Sequence, residues 1–203
     1  IRQAMGRLCP REDLLRRIEK LRSYNQAAIV VDLIYGFPMQ DMESWLDDIA
    51  TAQSIGLDGA DCYQLNTYRG TPLSRAIENG KLPAGADTAG RALMFKAGVE
   101  AMQEGFWRRL SISHWANTTR ERNLYNQYVK GRAHCLAFGP GGGGNIDGTF
   151  YMNQSDIAAW RESVEAGRKP LAMAVLPAPR WKLCKAVTEG MERGALNLSA
   201  LES

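Results

Sequence analysis

One stretch constrains this chain more than any other: Ala28-Ile29-Val30-Val31-Asp32-Leu33-Ile34-Tyr35-Gly36-Phe37-Pro38-Met39-Gln40. It begins as an apolar, β-branched run and ends in a Gly-Phe-Pro break. Such a run reads as a strand covered on both faces, as in a parallel sheet packed between helices. A single carboxylate, Asp32, sits inside it. A buried acid costs free energy unless something bonds to it, so Asp32 calls for a hydrogen-bond partner or a ligand. It also lies near the carboxyl end of its strand, where α/β folds place ligands. Two readings stand side by side. One is an acid that pins a loop or pairs with an arginine. The other is an acid that accepts from ribose hydroxyls or another polar ligand.

The flanking sequence alternates helix and strand. Leu14, Leu15, Ile18 and Leu21 recur at helical spacing over 11–23. After the opening strand, Asp41 suits an N-cap. Met42, Trp45, Leu46, Ile49, Ala52 and Ile55 then form one apolar stripe. Ala60 to Tyr68 is strand-like, and Gly70-Thr71-Pro72-Leu73 turns out of it into a short helix. Asp87 or Thr88 caps a longer helix with Ala92, Phe95, Val99 and Met102 on its buried face. Arg109 to Trp115 reads as a third strand. Strands alternating with helices imply βαβ units and a parallel sheet. Three strands are too few to close a barrel, but they suit the end of one.

The pattern changes after Trp115. A polar stretch, 117–123, precedes a short aromatic-rich segment, and Cys135-Leu136-Ala137-Phe138 leads into Gly139-Pro140 and four glycines, Gly141 to Gly144. With Gly148 to Asn153 this predicts a hairpin-like unit. The glycine run reads either as a flexible turn or as a backbone that approaches a ligand closely. It is neither a P-loop nor a dinucleotide fingerprint, because it lacks the G-K-[ST] ending and the strand-to-helix setting. A helix over 154–166 turns Ile157, Trp160 and Val164 inward and stops at Gly167. Pro170, Pro177 and Pro179 mark a linker into a small helical module.

Charge and cysteine usage narrow the function classes. The formal net charge is +3 and the charges are scattered, which gives no footprint for nucleic acid. No run approaches the roughly 18 apolar residues of a membrane span, so neither partner class is expected. Cys9, Cys62, Cys135 and Cys184 lie far apart with no CxxC spacing, as expected of reduced thiols in the cytoplasm. His114 ends a predicted strand at the ligand-bearing end, as a structural hydrogen-bonder or as an acid–base group. There is no G-x-S-x-G or HExxH.

Met5-Gly6-Arg7 followed by Val31-Asp32-Leu33-Ile34-Tyr35-Gly36-Phe37-Pro38-Met39-Gln40 resembles the paired motifs of the HemN-like radical S-adenosylmethionine enzymes. Ser113-His114-Trp115-Ala116, Arg122-Asn123-Leu124-Tyr125 and Leu136-Ala137-Phe138-Gly139-Pro140-Gly141 fit later blocks of the same family. Cys62-Tyr63-Gln64-Leu65-Asn66, Gly70-Thr71-Pro72-Leu73 and Thr119-Arg120-Glu121-Arg122-Asn123 most resemble its anaerobic haem-utilisation branch.

The resemblance implies an α/β fold: the C-terminal half of a radical S-adenosylmethionine (β/α)6 partial TIM barrel, then a small α+β HemN-type C-terminal domain. Residues 1–116 would be the partial barrel, and 117–176 the glycine-rich α+β segment. Residues 177–203 would begin a winged-helix-like module. Such enzymes bind S-adenosylmethionine on a [4Fe-4S] cluster held by a CxxxCxxC loop, and cleave it to a 5′-deoxyadenosyl radical. The branch implies a methyltransferase that opens the haem porphyrin ring and releases iron, with electrons from a reduced flavin or flavodoxin-type donor. A coproporphyrinogen III oxidase-like decarboxylase and a non-catalytic haem-trafficking relative are the alternatives. By position, Arg7 and Asp32 match residues that contact S-adenosylmethionine, and Thr67 matches a position on the next strand touching the same ligand. Gly143 falls where the family's glycine-bearing segment nears a second S-adenosylmethionine. Tyr63, Tyr68, Trp115 and Tyr125 are candidate tetrapyrrole contacts. The CxxxCxxC loop is not in this sequence, so the chain is expected to be a middle-to-C-terminal portion, unable to run the reaction alone.

Overall fold

A computed structural model describes residues 8–130 and 133–201, and the chain divides into two compact units, Ile1–Arg122 and Asn123–Ser203. In the first unit, helix α1 (Arg11–Ser23) starts after Pro10, with Glu12 and Asp13 in its first turn and Lys20 and Arg22 in its last. That charge order complements the helix dipole. Strand β1 (Val30–Tyr35) follows, then helix α2 (Met42–Ser54), capped by Asp41 accepting from the Ser44 N–H. Strand β2 (Gly59–Gln64) leads through the short helix α3 (Pro72–Glu78) to helix α4 (Thr88–Glu104), which Asp87 caps by accepting from the Gly90 N–H.

The core lies between one face of the sheet and helices α2 and α4. Trp45 is fully buried, and its Nε1–H donates to the Met94 carbonyl at 2.8 Å. Its ring centroid lies 5.2 Å from that of Tyr35, which in turn is 6.5 Å from Phe95. Ile49, Ala52, Leu57, Ala60, Cys62, Met102 and Trp115 complete the cluster. The stripe expected on α2 is therefore the buried one. On α4 the buried line is Met94, Gly98 and Met102, with Ala92 exposed.

Strands β1 and β2 pair in parallel across the α2 crossover, as expected. The expected third strand is instead two pieces, β3 (Arg108–Arg109) and β4 (His114–Ala116). β4 pairs antiparallel with both β2 and β3. So β3 runs in the same sense as β1 and β2, but β4 doubles back and takes the place beside β2. The turn between them is fixed by the Leu110 N–H donating to the His114 carbonyl at 2.8 Å, and by Arg109 donating to the Ser111 and Ile112 carbonyls. A polar Ser-rich stretch that reads as strand is thus a hairpin turn.

The first strand also corrects an expectation. It is covered on one face only, and Asp32 is exposed. Val31, Leu33 and Tyr35 pack toward the core, while Asp32 alternates with them. Val30 and Ile34 share the face of Asp32, which is why a period of two looks like one continuous apolar run.

In the second unit, helix α5 (Leu124–Lys130) precedes an antiparallel sheet of β5 (Gly143–Ile146), β6 (Thr149–Asn153) and β7 (Leu171–Val175), in that order. The hairpin is β5–β6, so its first strand starts inside the glycine run and not at the expected Cys135–Phe138, of which Cys135 makes only an isolated bridge to Asn145. β7 occupies part of the expected linker, because Pro170 precedes it and Pro177 follows it, leaving five residues free to pair with β6. Helix α6 (Ile157–Glu165) buries Ser163, which bonds Gln154, and leaves Ile157 and Val164 exposed, contrary to expectation. Helix α7 (Trp181–Arg193) and a 3₁₀ turn (Leu198–Leu201) follow.

Replacing Trp45 by alanine removes the centre of this core. The expected loss is about 3–5 kcal/mol of unfolding free energy, measured by urea denaturation.

Candidate functional site

The face of the first sheet that turns away from the core carries the polar residues. Asp32 is level with Asp61 on β2, and Asp61 is level with His114 on β4. Level residues on neighbouring strands point to the same face, so one rung across three strands reads Asp, Asp, His. Two residues further along β2, on the same face, is Tyr63.

The rung is wired together. His114 Nδ1 lies 2.8 Å from Asp61 Oδ2, and its Nε2 lies 3.1 Å from Glu121 Oε1. Ser113 Oγ donates to the other Asp61 oxygen at 3.4 Å. His114 is 4% exposed and Asp61 6%. Gly59 makes room for the third member: a Cβ there would stand 2.9 Å from Glu121 Cγ and 2.8 Å from the Trp115 carbonyl. Burial alone would lower the His114 pKa, but the hydrogen bond and charge of Asp61, then Glu121, raise it above its ordinary value. The two carboxylates therefore favour the protonated imidazole against its burial. Burial, the Asp61 charge and hydrogen bond, and the Asp32 charge push Tyr63 up to about 12, so it keeps its proton at neutral pH.

A second acid braces the same end of the sheet. Asp58 accepts from the Ile29 N–H at 2.8 Å and the Thr118 hydroxyl at 2.7 Å. Arg120 donates to Asn25 and to the Ala27 carbonyl. At the other end, the break after β1 is closed by one side chain. Gln40 Oε1 accepts from the Gly36 and Phe37 N–H groups, and its Nε2 donates to the Ile34 carbonyl.

Asp32 stands on the open face with no hydrogen-bond partner among the described residues. Arg7 lies outside the described residues. Thr67 is not on a strand, because β2 ends at Gln64; it is exposed on the following loop. There it lines a cleft of about 240 Å³ with Gly36, Leu65, Gly85 and Arg91, beyond the carboxyl ends of β1 and β2. Gly143 belongs to the second unit and is an exposed position of β5. The glycine run is not a flexible turn. A Cβ on Gly144 would fall 2.5 Å from the Tyr151 hydroxyl oxygen, which accepts from the Ala137 N–H. Of the aromatic candidates, Trp115 is core, whereas Tyr63, Tyr68 and Tyr125 are exposed. Asp61 and Glu121 were not foreseen. The sequence signal for Asp61 is its spacing of two from Tyr63; Glu121 is brought in by a loop.

The residues present do not fit an iron–sulfur cluster. Burial and the neighbouring Asp61 push the Cys62 thiol up to about 12, far from the thiolate a metal needs. Among the described residues no group of three or more His, Cys, Asp or Glu is placed to hold a metal ion. The four cysteines form no disulfide.

Removing the imidazole leaves two buried carboxylates without the group they share. His114→Ala is expected to cost about 3–5 kcal/mol, read from chemical denaturation. The contribution of the raised His114 is complete below the ordinary histidine value of about 6.5. It is lost as pH rises through the higher folded value. Wild-type stability should therefore decline on the alkaline side of that window, and His114→Gln should flatten the decline in a pH series of unfolding midpoints.

No family model matches the chain. It is 44% identical over 182 residues to an anaerobilin synthase of Escherichia coli O157:H7, covering 89% of this chain and 40% of that protein. It is 29% identical over 145 residues to the mitochondrial radical S-adenosyl methionine domain-containing protein 1 of Mus musculus, covering 71% and 32%. An oxygen-independent coproporphyrinogen III oxidase of Bradyrhizobium diazoefficiens is 25% identical over 183 residues, covering 83% and 39%. The chain thus spans 40% or less of the length of these relatives. In fold it is similar to the solved coproporphyrinogen III oxidase (HemN) from Escherichia coli, a radical SAM enzyme, with a TM-score of 0.80 at 15% identity, over 99% of this chain and 49% of that one. Sequence kinship of this extent, with the shared fold, leads to one assignment: the chain belongs to the HemN-like radical S-adenosylmethionine family, in the branch that the anaerobilin synthase represents.

Proposed function

We propose that this chain is part of a radical S-adenosylmethionine enzyme that opens the haem porphyrin ring without oxygen and frees the iron, acting as a methyltransferase on the way. The observation that carries the reading is the 44% identity over 182 residues to an anaerobilin synthase, against 25% to a coproporphyrinogen III oxidase. In this reading the cluster ligands lie in a part of the protein other than this chain, and a reduced flavin or flavodoxin-type donor supplies electrons. No described helix is long and apolar enough to cross a membrane. Four cysteines without a disulfide suit the cytoplasm.

Within that reading Asp32 binds the ribose of S-adenosylmethionine. An exposed carboxylate with unused lone pairs, midway along the edge strand β1, suits a pair of neighbouring hydroxyls. Arg7 and Thr67 are proposed to touch the same ligand, and Gly143 a second copy of it. Thr67 is supported by its place on the cleft wall beyond β1 and β2.

The test is anaerobic incubation of the reconstituted full-length protein with haem and S-adenosylmethionine. A methylated, opened tetrapyrrole is the expected product. Decarboxylation of coproporphyrinogen instead would assign the oxidase activity, and haem binding without turnover a trafficking role. Asp32→Ala is expected to weaken S-adenosylmethionine binding by about tenfold or more, from losing charge-assisted hydrogen bonds of roughly 1.5–3 kcal/mol. An unchanged dissociation constant, by equilibrium dialysis, overturns the ribose role.

A further inference from the structure

We propose that the cleft beyond β1 and β2 is a carboxylate-binding site anchored by Arg91. The inference rests on the haem-opening reading for the ligands on offer, and it gives a role to a side chain which that reading leaves unassigned. Arg91 lies in the first turn of α4 and is half-buried. Among the described residues of the lining it is the one that carries a charge, beside the Thr67 hydroxyl and the apolar Leu65, Ile77, Ala84 and Ala86. No ion pair joins it to a carboxylate among the described residues. Its guanidinium makes one long contact, 3.5 Å to the Thr88 hydroxyl. A second groove, between α1 and Ile55, shows the contrast: there Arg16 and Arg22 share the wall with Glu12 and Glu19, so the charges balance as built. At Arg91 the balancing acid has to come with the ligand.

Two glycines bring the guanidinium to this place. Gly36 follows β1 with a φ of 86°, in the left-handed region. A Cβ on it would stand 3.1 Å from Arg91 Cγ, so the aliphatic stem of Arg91 lies against bare backbone. A Cβ on Gly85 would stand 2.5 Å from the Gly36 carbonyl oxygen, and the Ala86 N–H donates to that same oxygen at 3.1 Å. The loop before α4 is thereby stitched to the end of β1, and Arg91 is carried to the cleft with it. The chemistry of the lining then selects the ligand. A guanidinium offers paired N–H groups in a planar fork, which matches the two oxygens of a carboxylate. A dianion would call for a second cation, and the described lining holds none. The volume of about 240 Å³ falls below the roughly 300–1,000 Å³ of clefts that enclose a whole small ligand. The cleft therefore takes an arm, a carboxylate on a short apolar stem. Within the haem-opening reading two ligands carry one: haem on its propionates, and S-adenosylmethionine on its methionyl end.

The test compares Arg91→Gln with wild type in the reconstituted full-length protein under anaerobic conditions. Affinities are measured for haem, for haem dimethyl ester, in which both propionates are capped, and for S-adenosylmethionine. The expected result is haem binding weakened about tenfold, the effect of losing a charge-assisted pair of hydrogen bonds. The ester and S-adenosylmethionine should each bind the variant as they bind wild type. A comparable loss for S-adenosylmethionine, with haem unaffected, supports the site and assigns it to the methionyl carboxylate. No change for either ligand overturns the proposal. An equal loss for haem and its ester also overturns it, because Arg91 would then serve the shape of the cleft and not a carboxylate. If wild type binds no haem, the haem-opening reading falls, and S-adenosylmethionine alone decides the site. Should Arg91→Gln fail to fold, Arg91→Lys, which keeps a charge but loses the planar fork, is read in the same way.

Discussion

The structure of the first unit depends on the alternation of three short strands. On one side of the sheet, Tyr35, Cys62 and Trp115 meet helices α2 and α4 and build the core. On the other, the next rung carries Asp32, Asp61 and His114. Burying two of those three is tolerable only because the imidazole and two carboxylates, Asp61 and Glu121, satisfy one another. The core could accept other apolar packing, but the rung could not lose a member without leaving charge uncompensated. That makes the buried part of the polar rung a strict constraint on residue choice at this end of the chain.

Much of the architecture was legible because its signals are local. Asp41 and Asp87 cap the helices they were expected to cap, and the stripe from Trp45 to Ala52 is buried as its spacing implies. Errors arose where a local pattern has two solutions. Ser111-Ile112-Ser113 alternates like a strand, but its backbone groups are satisfied by a turn that Arg109 braces. Val30 and Ile34 around Asp32 imitate a fully buried strand. Ile157 and Val164 have the spacing of an inward face, yet the buried position is Ser163, whose hydroxyl bonds Gln154.

The site was legible only in part. Asp32 stood out as one charge in an apolar run, and Thr67 was named by resemblance alone. The link between Asp61 and Glu121 was invisible, because sixty residues separate them and only strand register and the Gly59 gap bring them to one imidazole. The glycine run illustrates the opposite case: a conspicuous motif whose visible cause is the Tyr151 ring lying on Gly144.

Gln40 has a consequence for the kind of ligand that this strand end can accept. Its carboxamide oxygen already takes the Gly36 and Phe37 N–H groups. Successive free backbone N–H groups after a strand are what usually capture phosphate and other anions, and here that cradle is capped from within. Recognition at the end of β1 therefore falls to side chains. A phosphorylated ligand would find no pair of free amides at this edge to receive it.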